Sequence, residues 1–98
     1  MTDKLSAHAR QTALTALAEW IYDEAADSIT RHVRFRNFSE AFAFMTQVAL
    51  LAEKTGHHPD WSNVYDKVSI TLTTHDVGGL SEKDVSLAGK IDALLPSA

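Results

Sequence analysis

The chain has 98 residues, the length of one domain, and carries 9 basic against 13 acidic side chains, a formal charge of −4. That balance opposes non-specific binding to nucleic acid or to an anionic membrane. The absence of cysteine excludes disulfides, thiolate catalysis, Cys-ligated zinc and iron–sulfur clusters. Hydrophobic residues make up 45%, an ordinary globular share. No run approaches the roughly 18 apolar residues of a membrane span, and no apolar core follows Met1. The expectation is a single soluble, cytoplasmic domain over residues 1–98.

Ser6 to Ala18 reads as a helix, rich in Ala, with Leu14 and Leu17 as a modest apolar stripe. Trp20-Ile21-Tyr22 is a short strand candidate, and Asp23 to Asp27 its turn. From Ser28 to Phe35 the pattern alternates. Ile29, Val33 and Phe35 share one side, and Thr30, His32 and Arg34 share the other. Arg31 falls on the apolar side and breaks the pattern. Arg31, Arg34 and Arg36 resemble a nucleic-acid patch only if the acidic remainder is ignored, so a solvated strand face is expected.

Asn37 is placed to cap a helix from Phe38 to about Lys54, with Glu40 able to reach back to the cap backbone. Between Ala41 and Ala52 only Thr46 and Gln47 are polar. A helix apolar nearly all round needs a second surface beyond one sheet face, and another subunit is the expected cover. Phe44 and Leu51 are candidate positions on that face. Gly56 suits the left-handed end of this helix. Val64 to Thr73 is the strongest strand signal. Val68, Ile70 and Leu72 face one way, and Ser69, Thr71 and Thr73 the other. Asp66-Lys67 either turns a hairpin or bends one strand. Ser81 caps the last helix with Asp84 as its capping-box partner, Leu80 can staple onto Val85, and Val85, Ala88, Ile91 and Leu95 form the buried stripe. Pro96 stops it. The order fits an α+β fold, an antiparallel sheet with helices on one face.

Five histidines are present, three of them in one stretch: His57, His58 and His75. Glu53 lies four residues before His57, on the same face of the helix end, and can hold its ring. Pro59 pushes His58 extended, so His57 and His58 point apart and should not do the same job. His75 falls at the end of the polar sheet face if the strand runs that far, with Asp84 close enough to orient it. Imidazoles near neutrality suit general acid–base chemistry. There is no Gly-x-Ser-x-Gly elbow, phosphate loop or dinucleotide fingerprint. No His-x-x-x-His pair shares a helix face, so no metal is expected. Bland readings stand beside these: Asp84 as a capping carboxylate, Glu53 as a solvated helix end, His8 and His32 as surface residues. Trp61 is read either as a core plug or as the wall of a flat ring pocket.

The run Glu53-Lys54-Thr55-Gly56-His57-His58-Pro59-Asp60-Trp61, continued through Tyr65, His75 and Asp84, resembles the pterin-4a-carbinolamine dehydratase family. The pattern is an acid, three residues, His-His-Pro, five residues, an aromatic, nine residues, His, eight residues, Asp. Phe42 to Leu50 is also similar to the family's second helix. The resemblance implies a four-stranded antiparallel sheet with three helices packed on one face. It implies dehydration of a 4a-hydroxytetrahydropterin to quinonoid dihydropterin, with no metal and no cofactor. His57 and His75 would be the acid–base pair and His58 a substrate-binding residue. Glu53, Pro59, Trp61 and Asp84 would shape or orient the site. The implied partners are a pterin, an aromatic amino-acid hydroxylase pathway, and further copies of the chain, as dimer or tetramer through residues 38–54. The alternative is an oligomeric interaction module of the transcription-cofactor kind with secondary or no catalysis, and a third reading is pterin processing outside hydroxylation.

Overall fold

A computed structural model describes residues 2–96. The elements run α1 (Ala7–Ala16), β1 (Ile21–Asp23), β2 (Ser28–Arg34), α2 (Phe38–Thr55), β3 (Asp60–Val64), β4 (Lys67–Leu72), a 3₁₀ turn (His75–Val77) and α3 (Glu82–Ala93). The four strands form one antiparallel sheet in the order β1-β2-β4-β3. With three helices, this is the expected α+β fold. Among the described residues no helix is long and apolar enough to cross a membrane.

The caps follow the local chemistry. Ser6 Oγ accepts from Ala9 N at 3.1 Å, and Asn37 Oδ1 accepts from Glu40 N at 2.9 Å. Glu40 does not return to the cap residue as expected. Its carboxylate reaches one residue further, accepting from the backbone N–H and the guanidinium of Arg36. An arginine offers charge-assisted bonds that the cap N–H alone does not.

β3 and β4 form a hairpin over residues 60–72, and its turn falls one residue before the expected Asp66-Lys67. Val64 pairs with Lys67, leaving Tyr65-Asp66 as a two-residue turn. Such turns need positive φ, which Tyr65 supplies at 52°. That conformation is unfavourable for a bulky residue, and Asn63 Nδ2 braces it by donating to the carbonyls of Tyr65 and Lys67.

Ile29, Val68, Ile70 and Leu72 project from the sheet into a core completed by Ala41, Phe44 and Val48 of α2 and Leu87, Ala88 and Ile91 of α3. Each large side chain so buried contributes roughly 1.5–3 kcal/mol. Leu87 belongs to the α3 stripe although it was not expected there; Leu95 is only partly buried. Leu80 and Val85 join the same cluster, as a staple requires. Arg31 is tolerated on the apolar side because Asp92 pairs with it, and Asp92 also accepts from Trp20 Nε1 at 2.9 Å. Arg34 pairs with Asp66 and Arg36 with Glu40. All three arginines are therefore committed to carboxylates. The opposite sheet face is polar, with Thr30 bonded to Thr71 and His32 to Ser69, each at 2.8 Å.

Asp27 ends the β1–β2 turn at a φ of 49° and is buried. Its carboxylate accepts from Tyr22 Oη at 2.8 Å and lies 3.3 Å from Lys4 Nζ. A Cβ on Gly79 would meet Asp27 Oδ2 at 2.0 Å, so only glycine permits this approach. Burial pushes the Asp27 carboxyl up, but the hydrogen bonds from Tyr22 and Lys4 and the lysine charge outweigh it, leaving it below the ordinary 3.8. A depressed carboxyl stabilises the fold above its unfolded value and loses that contribution as pH falls through its folded value. Denaturant melts below pH 4 should therefore show a shallower acid loss in Asp27→Asn than in the parent. Equal slopes would remove Asp27 from the acid limb.

Candidate active site

The end of α2 sets the site. Gly56 takes the left-handed conformation (φ 71°), and the N–H groups of both Gly56 and His57 bond to the carbonyl of Ala52. The chain then turns off the helix axis before His57. This overturns both expected carboxylate partnerships. A Glu53–His57 pair needs continued helix, and Gly56 ends it. Instead His57 Nε2 bonds Asp84 Oδ1 at 2.6 Å, and His58 Nε2 bonds Glu53 Oε1 at 2.8 Å. His75 is not oriented by Asp84, and it is not a strand residue. β4 stops at Leu72, and His75 opens the exposed 3₁₀ turn.

The two histidine–carboxylate pairs differ in environment. The Asp84 side chain is 0% exposed and that of His57 12%, whereas His58 and Glu53 are 63% and 81% exposed. Asp84 heads α3, where the helix dipole favours a negative charge. Its Oδ1 takes His57, and its Oδ2 takes Ser81 N at 2.9 Å and Thr74 Oγ1 at 2.7 Å. Asp84 is thus both capping-box partner and histidine orienter, so the two readings coexist. The hydroxyl of Thr74 has one proton, and Asp84 receives it. Ser81 Oγ must then donate to Thr74 Oγ1 at 2.6 Å, while accepting from Lys83 N. With Asp84 accepting, His57 presents its proton on Nε2 and leaves Nδ1 free.

His58, Pro59 and His75 line one cleft of about 250 Å³, together with Asp60, Thr71 and Thr73 at the end of the polar sheet face. His58 and Pro59 also line an adjoining, more apolar cleft of about 410 Å³ with Glu53, Leu50 and Trp61. Trp61 is half-buried, packs against the core and also lines this second cleft. His57 does not line either cleft. It borders a separate depression of about 360 Å³ with Thr55, Glu82, Lys83 and Leu87. His8 and His32 are exposed surface residues. Asp60 and Thr74 were not singled out in the sequence. Thr74 had a signal: it shares the parity of Val68, Ile70 and Leu72, where a polar residue is out of place.

Imidazoles set beside carboxylates at one end of an antiparallel sheet are groups that can give and take protons near neutrality. A sequence model of the pterin 4 alpha carbinolamine dehydratase family matches residues 3–94, and the chain belongs to that family. A relative from Rhizorhabdus wittichii, assigned as a pterin-4-alpha-carbinolamine dehydratase, is 55% identical over 94% of this chain and 95% of its own. One from Mesorhizobium japonicum with the same assignment is 56% identical over 92% of each chain. The crystal structure of a transcriptional coactivator/pterin dehydratase from Brucella melitensis superposes with a TM-score of 0.92 at 41% identity, covering 96% of this chain and all of that one.

Proposed function

We propose that the protein is a hydro-lyase that dehydrates a 4a-hydroxytetrahydropterin to quinonoid dihydropterin and water in the cytoplasm, recycling the pterin spent by an aromatic amino-acid hydroxylase. The observation that carries the reading is the convergence of His58 and His75 on one polar cleft, with the His57–Asp84 pair at the foot of the same connector.

The reaction breaks the C4a–O bond. A proton is delivered to the departing hydroxyl, and one is removed from the neighbouring ring nitrogen. Each positioned acid or base contributes about 10²–10⁴ in rate. We assign these steps to His57 and His75. His57 suits the work because a buried, fully bonded carboxylate fixes its tautomer and orientation. His58 is paired to a solvated Glu53, too loosely for precise proton transfer, and is assigned to substrate binding with Pro59. Trp61 supplies a flat apolar wall to the adjoining cleft. Stopped-flow mixing with enzymatically generated carbinolamine tests the reading. The protein should accelerate loss of the carbinolamine absorbance well above buffer, and a rate equal to buffer would refute it.

The reading includes self-association through α2. Phe38, Phe42 and Leu50 stand exposed on that helix, and the rings of Phe38 and Phe42 lie 5.8 Å apart. Phe44 is buried in the core and Leu51 is partly buried against it, so neither is the residue to test. Light scattering should give a dimer or tetramer at micromolar concentration, and Phe42→Asp should dissociate it. A monomeric parent would remove this part of the reading. The exposed α2 face also favours a second reading, docking to another protein, in line with the coactivator description of the Brucella protein. A pure docking module has no need of a histidine held by the buried Asp84, which supports the catalytic reading over the docking one.

A further inference from the structure

Thr74 is buried, lies next to His75 in sequence, and lines none of the three clefts described above. Its hydroxyl nevertheless donates to Asp84 Oδ2, the carboxylate that holds His57. Its backbone N–H and carbonyl both pair with Gly79, closing the loop that carries His75. The Gly78 N–H bonds back to the His75 carbonyl inside that loop. One residue is therefore bonded to the orienter of one imidazole and peptide-linked to the other. A hydrophobic residue at this parity would have extended the apolar row of β4, so the hydroxyl is not there for packing. Asp84 Oδ2 has two protein donors, Thr74 and Ser81 N. Removing the first leaves Oδ2 held by Ser81 N alone, so the carboxylate that faces His57 through Oδ1 is less firmly oriented, and small misplacements of a reacting group are heavily penalised.

We propose that Thr74 is a positioning residue for catalysis: its hydroxyl fixes the Asp84 carboxylate that orients His57, and its backbone sets His75 in the same frame. The kinetic consequence rests on the proposed dehydratase reading; the structural one does not. The test compares Thr74→Val, which keeps the shape and removes the hydroxyl, with Thr74→Ser, which keeps the hydroxyl. Two-bond ¹H–¹⁵N correlation spectra of the neutral imidazoles report the tautomer of His57. The parent and Thr74→Ser should show the Nε2–H form, and Thr74→Val a mixture. In stopped flow, Thr74→Val should lose about tenfold or more in kcat with KM within about twofold, and Thr74→Ser should recover most of it. An unchanged His57 tautomer in Thr74→Val overturns the proposal, as does a Thr74→Ser that fails like Thr74→Val, or a mixed tautomer without loss of kcat. Should Thr74→Val not fold, Thr74→Ala takes its place against Thr74→Ser under the same criteria. If the parent itself turns over no carbinolamine, the dehydratase reading falls, and the tautomer comparison still decides the role of Thr74.

Discussion

Replacing His57 or His75 by Ala should lower kcat by about 10²-fold or more with little change in KM. Both are assigned to protons that move only in the transition state, and removing such a group leaves ground-state binding intact. His58→Ala should behave differently. Its ring faces the cleft but is tied to a solvated glutamate, so KM should rise more than kcat falls. The double variant lacking both His57 and His75 should approach the uncatalysed rate. The two single effects should not add, because acid and base serve one step. A His57→Ala enzyme with normal kcat and raised KM, beside a crippled His58→Ala, would exchange the roles of the two neighbours. The cleft boundaries make that a pointed comparison, since His58 borders the cleft and His57 does not.

Asp84→Ala should be the most destabilising single change in the site, by about 3 kcal/mol or more, since each buried donor left without a partner costs roughly 1–3 kcal/mol. It strands three donors at once: His57 Nε2, Thr74 Oγ1 and Ser81 N. Against a total stability of about 5–15 kcal/mol, that is enough to unfold a marginal domain near body temperature. Asp84→Asn should separate folding from function. Its single carbonyl oxygen will take the Oδ2 position, where two donors converge, leaving the amide NH₂ against His57. That ring must then accept through Nε2 and carry its proton on Nδ1. The fold should survive with a modest loss in urea melts, while kcat drops by at least about 10²-fold, because the reacting nitrogen has the wrong protonation. An Asp84→Asn protein that is stable and fully active would show Asp84 to be a helix cap only.

Much of this was legible in the sequence for identifiable reasons. The alternation in Val68 to Leu72, the Asn37 and Ser81 caps and the Gly56 stop are local signals, and each appears in the structure where local chemistry places it. The three histidines were found because their spacing is a local property too. Their carboxylate partners were misassigned because partnership is not local. Gly56 at positive φ rotates the connector, so His57 crosses to α3 and Glu53 meets the next residue instead. The same limit left the hairpin undecided against one bent strand and set its turn one residue late. Nothing in Tyr65-Asp66 announces a turn, since tyrosine is a poor residue for positive φ, and the bracing comes from Asn63. Arg31 looked like a flaw in its strand until Asp92, sixty-one residues away, closed on it.

The central claim is that this protein removes water from a pterin carbinolamine by the action of its own imidazoles. Stopped-flow mixing of enzymatically generated 4a-hydroxytetrahydropterin with the parent and with the His57→Ala/His75→Ala double variant, at matched folded concentration, tests it most directly. The parent should give a protein-dependent rate of dehydration that saturates with substrate, and the folded double variant should give the buffer rate. A parent no faster than buffer, or a double variant as fast as the parent, would contradict it.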